Sequence, residues 1–249
     1  MSSYPGLTAE CVMFTGDKGD MVEAYYAKPA GKGPFPGVVL IHHAPGWDEW
    51  ITEATRKLAH HGFATIAPHL YHRDGPGDPE DVAAKARAEG GVPDSQVVGD
   101  VAGAMAYLRA QPESNGKVGL IGFCSGGRHV YLAAGSLANV DAIVDCWGGN
   151  KFPEGKNDPV KRPIAAIEFT ETITAPILGI YGNDDKNPSP EHVNKTEERL
   201  KKAGKNYEFH RYDGAAHGFF NVPKPAYRPE QAEDAWKKIF AFYKKHLSK

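Results

Sequence analysis

The stretch KVGLIGFCSGGRHVYLAAG, residues 117–135, decides the fold of this chain. Its apolar run, residues 118–121, is typical of a buried strand, and a helical pattern follows after a glycine-flanked turn. A glycine two residues before and a glycine two residues after a central residue mark the turn that lifts a nucleophile above a sheet. Cys124 has this spacing between Gly122 and Gly126, whereas the serine after it does not. We therefore predict that Cys124 is a nucleophile held in a strained turn.

The rest of the chain alternates between strand and helix patterns. Beside the elbow strand, strands are predicted at residues 21–27, 37–42, 63–67, 141–147, 176–181 and 207–212. Beside the elbow helix, helices are predicted at residues 48–61, 80–89, 97–108 and 189–203, with a last one over 236–247. Short connections between alternating elements predict an α/β fold, with a mostly parallel central sheet and helices on both faces. Such sheets carry their functional sites at the carboxyl ends of the strands.

Length and composition favour a single domain spanning residues 1–249. The chain is 41% hydrophobic and 24% charged, which allows one sizeable core. Its formal net charge of -2 gives no electrostatic reason to expect nucleic acid or an anionic membrane as partner. We see no basic leader before an apolar segment and no apolar run of about 18 residues. We therefore expect a cytoplasmic protein without membrane association.

The three cysteines suggest neither a disulfide framework nor a zinc ribbon. Cys11, Cys124 and Cys146 are sparse, odd in number and without a C-x-x-C spacing. A cysteine among apolar residues is usually inert packing, which we expect for Cys11 and Cys146. The glycine frame sets Cys124 apart, since a thiolate at a helix N-terminus that faces an imidazole is a competent nucleophile.

An acid and a histidine follow the elbow in the order that this architecture uses, which is nucleophile, acid, histidine. The turn after the strand at 176–181 carries Asp184 and Asp185, and the loop after the strand at 207–212 carries His217. The spacing G-x-x-D favours Asp185 over Asp184 without excluding the latter. We predict the triad Cys124, Asp185 and His217.

Two backbone amides are expected to stabilise an oxyanion. The N–H of Ser125, the residue after the nucleophile, is the first expected donor. The loop after the strand at 37–42 carries the second, and the N–H of Ala44 is the candidate because Pro45 has none.

Other residues near strand ends are candidates for contacts with a substrate. The histidine and the aromatic residues expected around an apolar pocket are His43, Trp47, Trp50, Tyr71, Trp147 and Phe219. The histidines of the early loop could instead form a metal site with His69 and His72, but no ligand spacing such as H-E-x-x-H supports it, so no metal is predicted. The irregular stretch 148–175, which includes Gly155, is expected to be a lid over the site.

These segments resemble the dienelactone hydrolase family, also called carboxymethylenebutenolidases, which are α/β-hydrolases. The resemblance is carried by QPESNGKVGLIGFCSGG at 111–127, APHLYHR at 67–73, GNDD at 182–185 and AAHGFF at 215–220. It implies an α/β-hydrolase fold, and hydrolysis of a small-molecule lactone or ester through a thioester acyl-enzyme. It further implies the catalytic roles of Cys124, Asp185 and His217, and a reaction without metal or organic cofactor.

The chain departs from the family pattern at three places. His43 stands where dienelactone hydrolase has a glutamate, and Asn221 stands where it has an arginine that contacts the substrate carboxylate. The frequent P-D-L-Y of the family reads PHLY at 68–71. These departures leave the natural substrate open, and Arg73 or Arg128 is the candidate for binding a carboxylate instead.

The sequence thus predicts a cysteine-dependent hydrolase of a lactone or small ester. The alternative is a non-catalytic small-molecule binder or a thiol redox sensor on the same fold. The acid–histidine pair argues against pure binding, because a binding protein has no need of it. The sequence leaves the oligomeric state open.

Overall fold

A central sheet of eight strands organises the computed structural model, which describes residues 6–153 and 158–248. The strands in chain order are β1 (Leu7–Thr15), β2 (Met21–Pro29), β3 (Phe35–Ile41), β4 (Ala64–Pro68), β5 (Ser114–Phe123), β6 (Ala142–Cys146), β7 (Ile177–Gly182) and β8 (Tyr207–Tyr212). Their order across the sheet is β1-β2-β4-β3-β5-β6-β7-β8. Adjacent strands in the part of this order from β4 to β8 are all parallel. Strand β2 pairs antiparallel with both β1 and β4.

The helices pack on both faces of the sheet, as expected for an α/β-hydrolase. They are α1 (Glu49–His60), α2 (Pro79–Ala88), α3 (Asp94–Ala110), α4 (Ser125–Ser136), α5 (Pro190–Lys202) and α6 (Pro229–Leu247). One hydrophobic cluster joins the sheet to α2, α3 and α4, and a second joins it to α1 and α6. A parallel sheet buried on both faces needs such near-continuous apolar strands, and β3 through β7 supply them. The predicted fold class is confirmed.

Helix caps lie where the sequence pattern puts them. Asp48 precedes α1 and accepts a hydrogen bond from the N–H of Ile51 at 3.0 Å. Ser189 precedes α5 in the same way, followed by Pro190 at the first helical position. These capping residues determine where α1 and α5 begin, and therefore where the loops after β3 and β7 end.

The structure differs from the sequence-based expectations in two elements. Strand β1 was not expected, because its side chains are mostly exposed and its apolar pattern is weak. The stretch 148–175 contains a 3-10 helix, Ala166–Thr172, and is therefore not wholly irregular. Residues 154–157 with Gly155 lie outside the described residues, and the lid stays a prediction.

The other whole-chain expectations have different outcomes. No helix within the described ranges is long and apolar enough to cross a membrane. The expectation of inert packing is wrong for Cys11, which is exposed on β1, whereas Cys146 is buried in the core. One domain over 1–249 and a cytoplasmic location stay predictions.

Candidate active site

Cys124 sits in a sharp turn between β5 and α4. Its φ of 56° is in the left-handed region that non-glycine residues rarely adopt. A Cβ on Gly122 would lie 2.1 Å from the carbonyl oxygen of Gly126. A Cβ on Gly126 would lie 2.1 Å from that of Ile41 on β3, so both positions require glycine. This is the geometry of a nucleophile elbow.

Asp185, in the loop after β7, and His217, in the loop after β8, meet near the elbow. Nδ1 of His217 donates to Oδ2 of Asp185 at 2.8 Å, and Asp185 is buried at the end of the β7 loop. The imidazole also interacts with Cys124, and this interaction lowers the pKa of the thiol and raises that of the imidazole. Asp184, the alternative acid, is exposed. The structure thus brings together the three residues of the predicted triad, in the predicted order.

The surroundings of the pair favour a thiolate and an imidazolium. Burial raises the pKa of the Cys124 thiol, but hydrogen bonding and the charge of His217 outweigh burial, so the pKa lies below its ordinary value. Burial lowers the pKa of His217, but hydrogen bonds and charge from Asp185 and Cys124 raise it to about 10. A thiolate is the reactive form of cysteine, so the lowered pKa is the electrostatic feature that a nucleophilic cysteine needs.

The two backbone amides predicted to line an oxyanion hole act on the sulfur of Cys124. The N–H groups of Ser125 and Ala44 both favour the thiolate and lower the pKa of Cys124 further. Ala44 is held in place through its carbonyl, which accepts from Tyr71 Oη at 3.2 Å and from Arg87 Nη1 at 2.7 Å. A group bonded to the sulfur would therefore place its oxygen near two fixed donors.

A cavity of about 330 Å³ opens at Cys124. The residues that line it are Ala44, Tyr71, Arg87, Gly90, Gly91, Val92, Cys124, Ser125, Arg128, His129, Gly149, Asn150, Arg162 and Asn187. Tyr71 is the one residue of the predicted aromatic set among them. The cavity is large enough for a small ester or lactone.

Both predicted carboxylate-binding arginines form ion pairs with aspartates. Arg73 does not line it, because its guanidinium is engaged by Asp20 at 2.7 Å and by the buried Asp100 at 2.8 Å. Arg128 does line the cavity, but Asp94 neutralises it through two hydrogen bonds of 2.6 and 2.8 Å. The prediction is corrected for Arg73, which holds elements of the fold together, whereas a carboxylate-binding role of Arg128 stays a prediction.

Trp147 and Phe219 belong to the core rather than to the cavity. Their side chains are 2% and 0% exposed, with ring centroids 5.2 Å apart. The rings of Trp147 and His217 form a T-shaped pair with centroids 6.4 Å apart, so Trp147 packs beside the imidazole. The sequence could not separate these roles, because aromatic residues at strand ends serve both.

His43 and Trp47 also contact protein groups instead of the cavity. His43 is buried, forms a 2.8 Å hydrogen bond with Asp48 and packs against Trp50. The indole N–H of Trp47 donates to the carbonyl of Ala67, and its ring stacks on His69. Their predicted role as substrate contacts is corrected to support of the loop after β3.

Sequence reasoning missed three basic residues of the cavity wall. Arg87 lies on α2, Arg162 in the long stretch after β6, and His129 on α4. Nε of Arg162 and Nδ1 of His129 are buried without a hydrogen-bond partner among the described residues. No local pattern marks such residues, since they come together only through the tertiary fold.

Metal binding was also weighed for the histidines near β3. Within the described ranges, no group of three or more histidine, cysteine or acidic side chains is arranged to hold a metal ion. His69 stacks on Trp47, and burial lowers its pKa to about 4. A reaction without metal or cofactor stays a prediction.

Three features define an α/β-hydrolase. They are the mostly parallel sheet, the elbow at Cys124, and the hydrogen-bonded Asp185 and His217 in the loops after β7 and β8. The family model of the dienelactone hydrolase family matches residues 22–247. The chain belongs to the dienelactone hydrolase family, and it is accordingly a hydrolase of the lactone and ester class.

Relatives and solved structures agree with this membership. A protein of Escherichia coli (strain K12) described as "Putative carboxymethylenebutenolidase" is 32% identical over 237 residues, covering 93% of this chain and 85% of the relative. One of Methylorubrum extorquens with the same description is 31% identical, covering 91% and 77%. The crystal structure of a "Putative Dienelactone Hydrolase" from Klebsiella pneumoniae superposes with a TM-score of 0.87 at 27% identity, covering 97% of this chain and 100% of that one.

Proposed function

We propose that the chain hydrolyses a lactone or small ester with Cys124 as nucleophile, His217 as acid and base, and Asp185 as the group that orients the histidine. The carrying observation is that the imidazole of His217 and the backbone N–H groups of Ser125 and Ala44 together lower the pKa of the Cys124 thiol despite its burial. A binding protein has no use for this combination, whereas acyl transfer needs all of it.

The first half of the reaction forms a thioester. The thiolate of Cys124 attacks the substrate carbonyl, and the negative charge passes from sulfur to the carbonyl oxygen. The N–H groups of Ser125 and Ala44, which stabilise the thiolate in the resting site, then stabilise that oxygen. When the tetrahedral intermediate collapses, the ester C–O bond breaks and the imidazolium of His217 gives its proton to the departing oxygen.

The second half releases the acid. Neutral His217 takes a proton from water, and the resulting hydroxide attacks the thioester carbonyl. The C–S bond breaks, the thiolate of Cys124 returns, and the proton remains on His217. Asp185 keeps the ring in one orientation throughout, with its hydrogen bond to Nδ1.

The charge of the cavity suggests a substrate that carries a carboxylate. Arg87 and Arg162 line the cavity, and among the described residues no carboxylate lines it and none forms an ion pair with either arginine. Guanidinium groups bind carboxylates through paired, charge-assisted hydrogen bonds. The name carboxymethylenebutenolidase, given to the relatives, describes a lactone with such a group.

Substitution of the nucleophile tests the proposal. We expect Cys124→Ala to lower kcat on cis- and trans-dienelactone and on short activated esters by roughly 10³-fold or more. Cys11→Ala is the matched control, because Cys11 is an exposed thiol on β1, and it should retain the wild-type kcat. Wild-type rates in Cys124→Ala would refute the proposal.

A further inference from the structure

A buried ion pair that the proposed mechanism does not use lies behind the elbow. Nζ of Lys151 is 2.8 Å from Oδ2 of Asp145, and the two side chains are 3% and 1% exposed. The hydroxyl of Tyr181, on β7, donates to the same carboxylate oxygen at 2.7 Å. Such a pair is weak evidence for stabilisation, because desolvation offsets much of the attraction. Its position suggests another role.

The pair folds residues 148–151 into a fixed turn. The N–H of Gly148 donates to Oδ1 of Asp145 at 2.9 Å, and Nζ of Lys151 donates to the carbonyl of Gly148. Asn150 in this turn has a φ of 52°, in the left-handed region that asparagine adopts more readily than most residues other than glycine. Asp145 anchors the turn at both ends, through Gly148 and through Lys151.

The 148–151 turn touches both loops that build the site. The carbonyl of Asn150 accepts from Nε of Arg128 at 3.2 Å, which links the turn to the elbow helix α4. Its side-chain Oδ1 accepts from Nδ2 of Asn187 at 3.1 Å, which links the turn to the loop of the proposed acid. A Cβ on Gly149 would lie 2.4 Å from Oδ1 of Asn187, so the turn and this loop are in close contact.

Asn187 orients the carboxylate of the proposed acid. Its backbone N–H donates to Oδ1 of Asp185 at 2.8 Å. The other oxygen, Oδ2, is the one that accepts from His217. Displacement of Asn187 would therefore rotate the carboxylate away from the imidazole.

We propose that Lys151 is a positioning residue, which fixes the 148–151 turn through its ion pair with Asp145. In this turn, Asn150 holds Asn187. Asn187 in turn orients the carboxylate of Asp185 toward His217. The inference rests on the proposed function, because it concerns the geometry of the same triad. It extends that function to side chains that do not touch the reacting atoms.

The test uses the reactivity of the Cys124 thiol together with turnover. In a Cys11→Ala background, we would measure iodoacetamide alkylation against pH, and kcat and KM on a short neutral activated ester. We expect Lys151→Met to move the alkylation midpoint to higher pH, because a misaligned Asp185 stabilises the imidazolium less. We expect kcat to fall about 10- to 100-fold with KM within about twofold, as for a small misplacement of catalytic groups.

A second variant and a matched control separate positioning from loss of stability. Asn150→Gly keeps the buried ion pair and tolerates the positive φ but removes the acceptor for Asn187, so both readouts should shift in the same direction as in Lys151→Met. Lys117→Met removes an ion pair of 2.8 Å with Asp141 at the start of β5, at the opposite end of the sheet from the site. It should behave as the parent protein.

The outcomes are distinct. Parental pH profiles and kcat in both Lys151→Met and Asn150→Gly overturn the inference, and so do equal shifts in Lys117→Met. If Lys151→Met does not fold, Asn150→Gly decides alone. If the parent protein hydrolyses no ester but the alkylation midpoints shift as expected, the proposed function fails and the positioning role of Lys151 stands.

Discussion

The reactivity of Cys124 is set by a competition between its burial and its partners. Burial alone makes a thiol hold its proton more strongly, as it does for Cys146, where it raises the pKa well above the ordinary value. At Cys124 the imidazole of His217 and two backbone N–H groups reverse this outcome. The difference between the two cysteines lies in their hydrogen-bond partners.

The pH dependence of alkylation follows from this competition. In a Cys11→Ala background, we expect the iodoacetamide rate to reach half its plateau well below the pH of about 8.5 that is typical of a free cysteine. The thiolate is lost as the pH falls through the lowered pKa of Cys124, and the imidazolium persists up to about pH 10. In His217→Gln the midpoint should rise above that of a free cysteine, because burial then dominates. A parent midpoint at the free-cysteine value would contradict the assignment of the pair.

The two adjacent aspartates allow a test of the proposed acid. We expect Asp185→Asn to lower kcat by roughly 10²- to 10⁴-fold, because an amide no longer stabilises the imidazolium or its tautomer. Asp184→Asn is the control, since Asp184 is exposed, and it should leave kcat unchanged. Steady-state kinetics on a short activated ester measure both, and the reverse pattern would transfer the role to Asp184.

At this scale the sequence identified residues that carry local patterns and missed residues that do not. The proposed nucleophile, acid and histidine each follow a strand within a recognisable turn, so their proximity could be predicted before the fold was known. Arg162 and His129 reach the same cavity from a long loop and a helix, and no spacing marks them. Arg73 was misassigned because its partner Asp100 lies on α3, far away in the sequence.

At the scale of elements, the elbow depends on contact between the backbones of α4 and β3. We expect Gly126→Ala to lower the free energy of unfolding by about 1–3 kcal/mol, because its Cβ would meet the carbonyl of Ile41 at 2.1 Å and the backbone cannot give way easily. Gly6→Ala is the control, since its Cβ would find Ala30 at 3.9 Å. Its free energy of unfolding should stay within about 0.5 kcal/mol of the wild type. Urea denaturation of the two variants measures both values, and equal stabilities would contradict the close packing.

Most elements were predictable because their signals are strong and local. Apolar strands buried on both faces, capping residues and glycine stops place β3 to β7 and most helices within a few residues. The last helix, α6, begins at Pro229, well before its predicted start at residue 236. Strand β1 was not predicted, because an edge strand with one buried side chain, Phe14, has little hydrophobic periodicity. The 3-10 helix at Ala166–Thr172 was not predicted, because the prolines around it are typical of a loop.

At the scale of the whole molecule, charge is distributed unevenly. The chain carries a formal net charge of -2, yet the cavity at Cys124 is lined by Arg87, Arg128 and Arg162 and, among the described residues, by no acidic side chain. Asp94 neutralises Arg128, which leaves the other two guanidinium groups facing the cavity without an ion-pair partner in the described ranges. A cationic cavity in a protein of negative net charge attracts anions to the site rather than to the whole surface.

This distribution predicts how the enzyme discriminates between substrates. We expect Arg162→Gln to raise KM about 10- to 100-fold for an ester that bears a carboxylate, because a charged hydrogen bond of about 1.5–3 kcal/mol is lost. For the neutral ester of the same shape, KM should stay within about twofold. Arg211→Gln is the control, since Arg211 on β8 pairs with Glu197 and does not line the cavity. An equal loss on both esters would mean that Arg162 supports the wall of the cavity without binding the carboxylate, and the substrate class would then have to be sought among neutral esters.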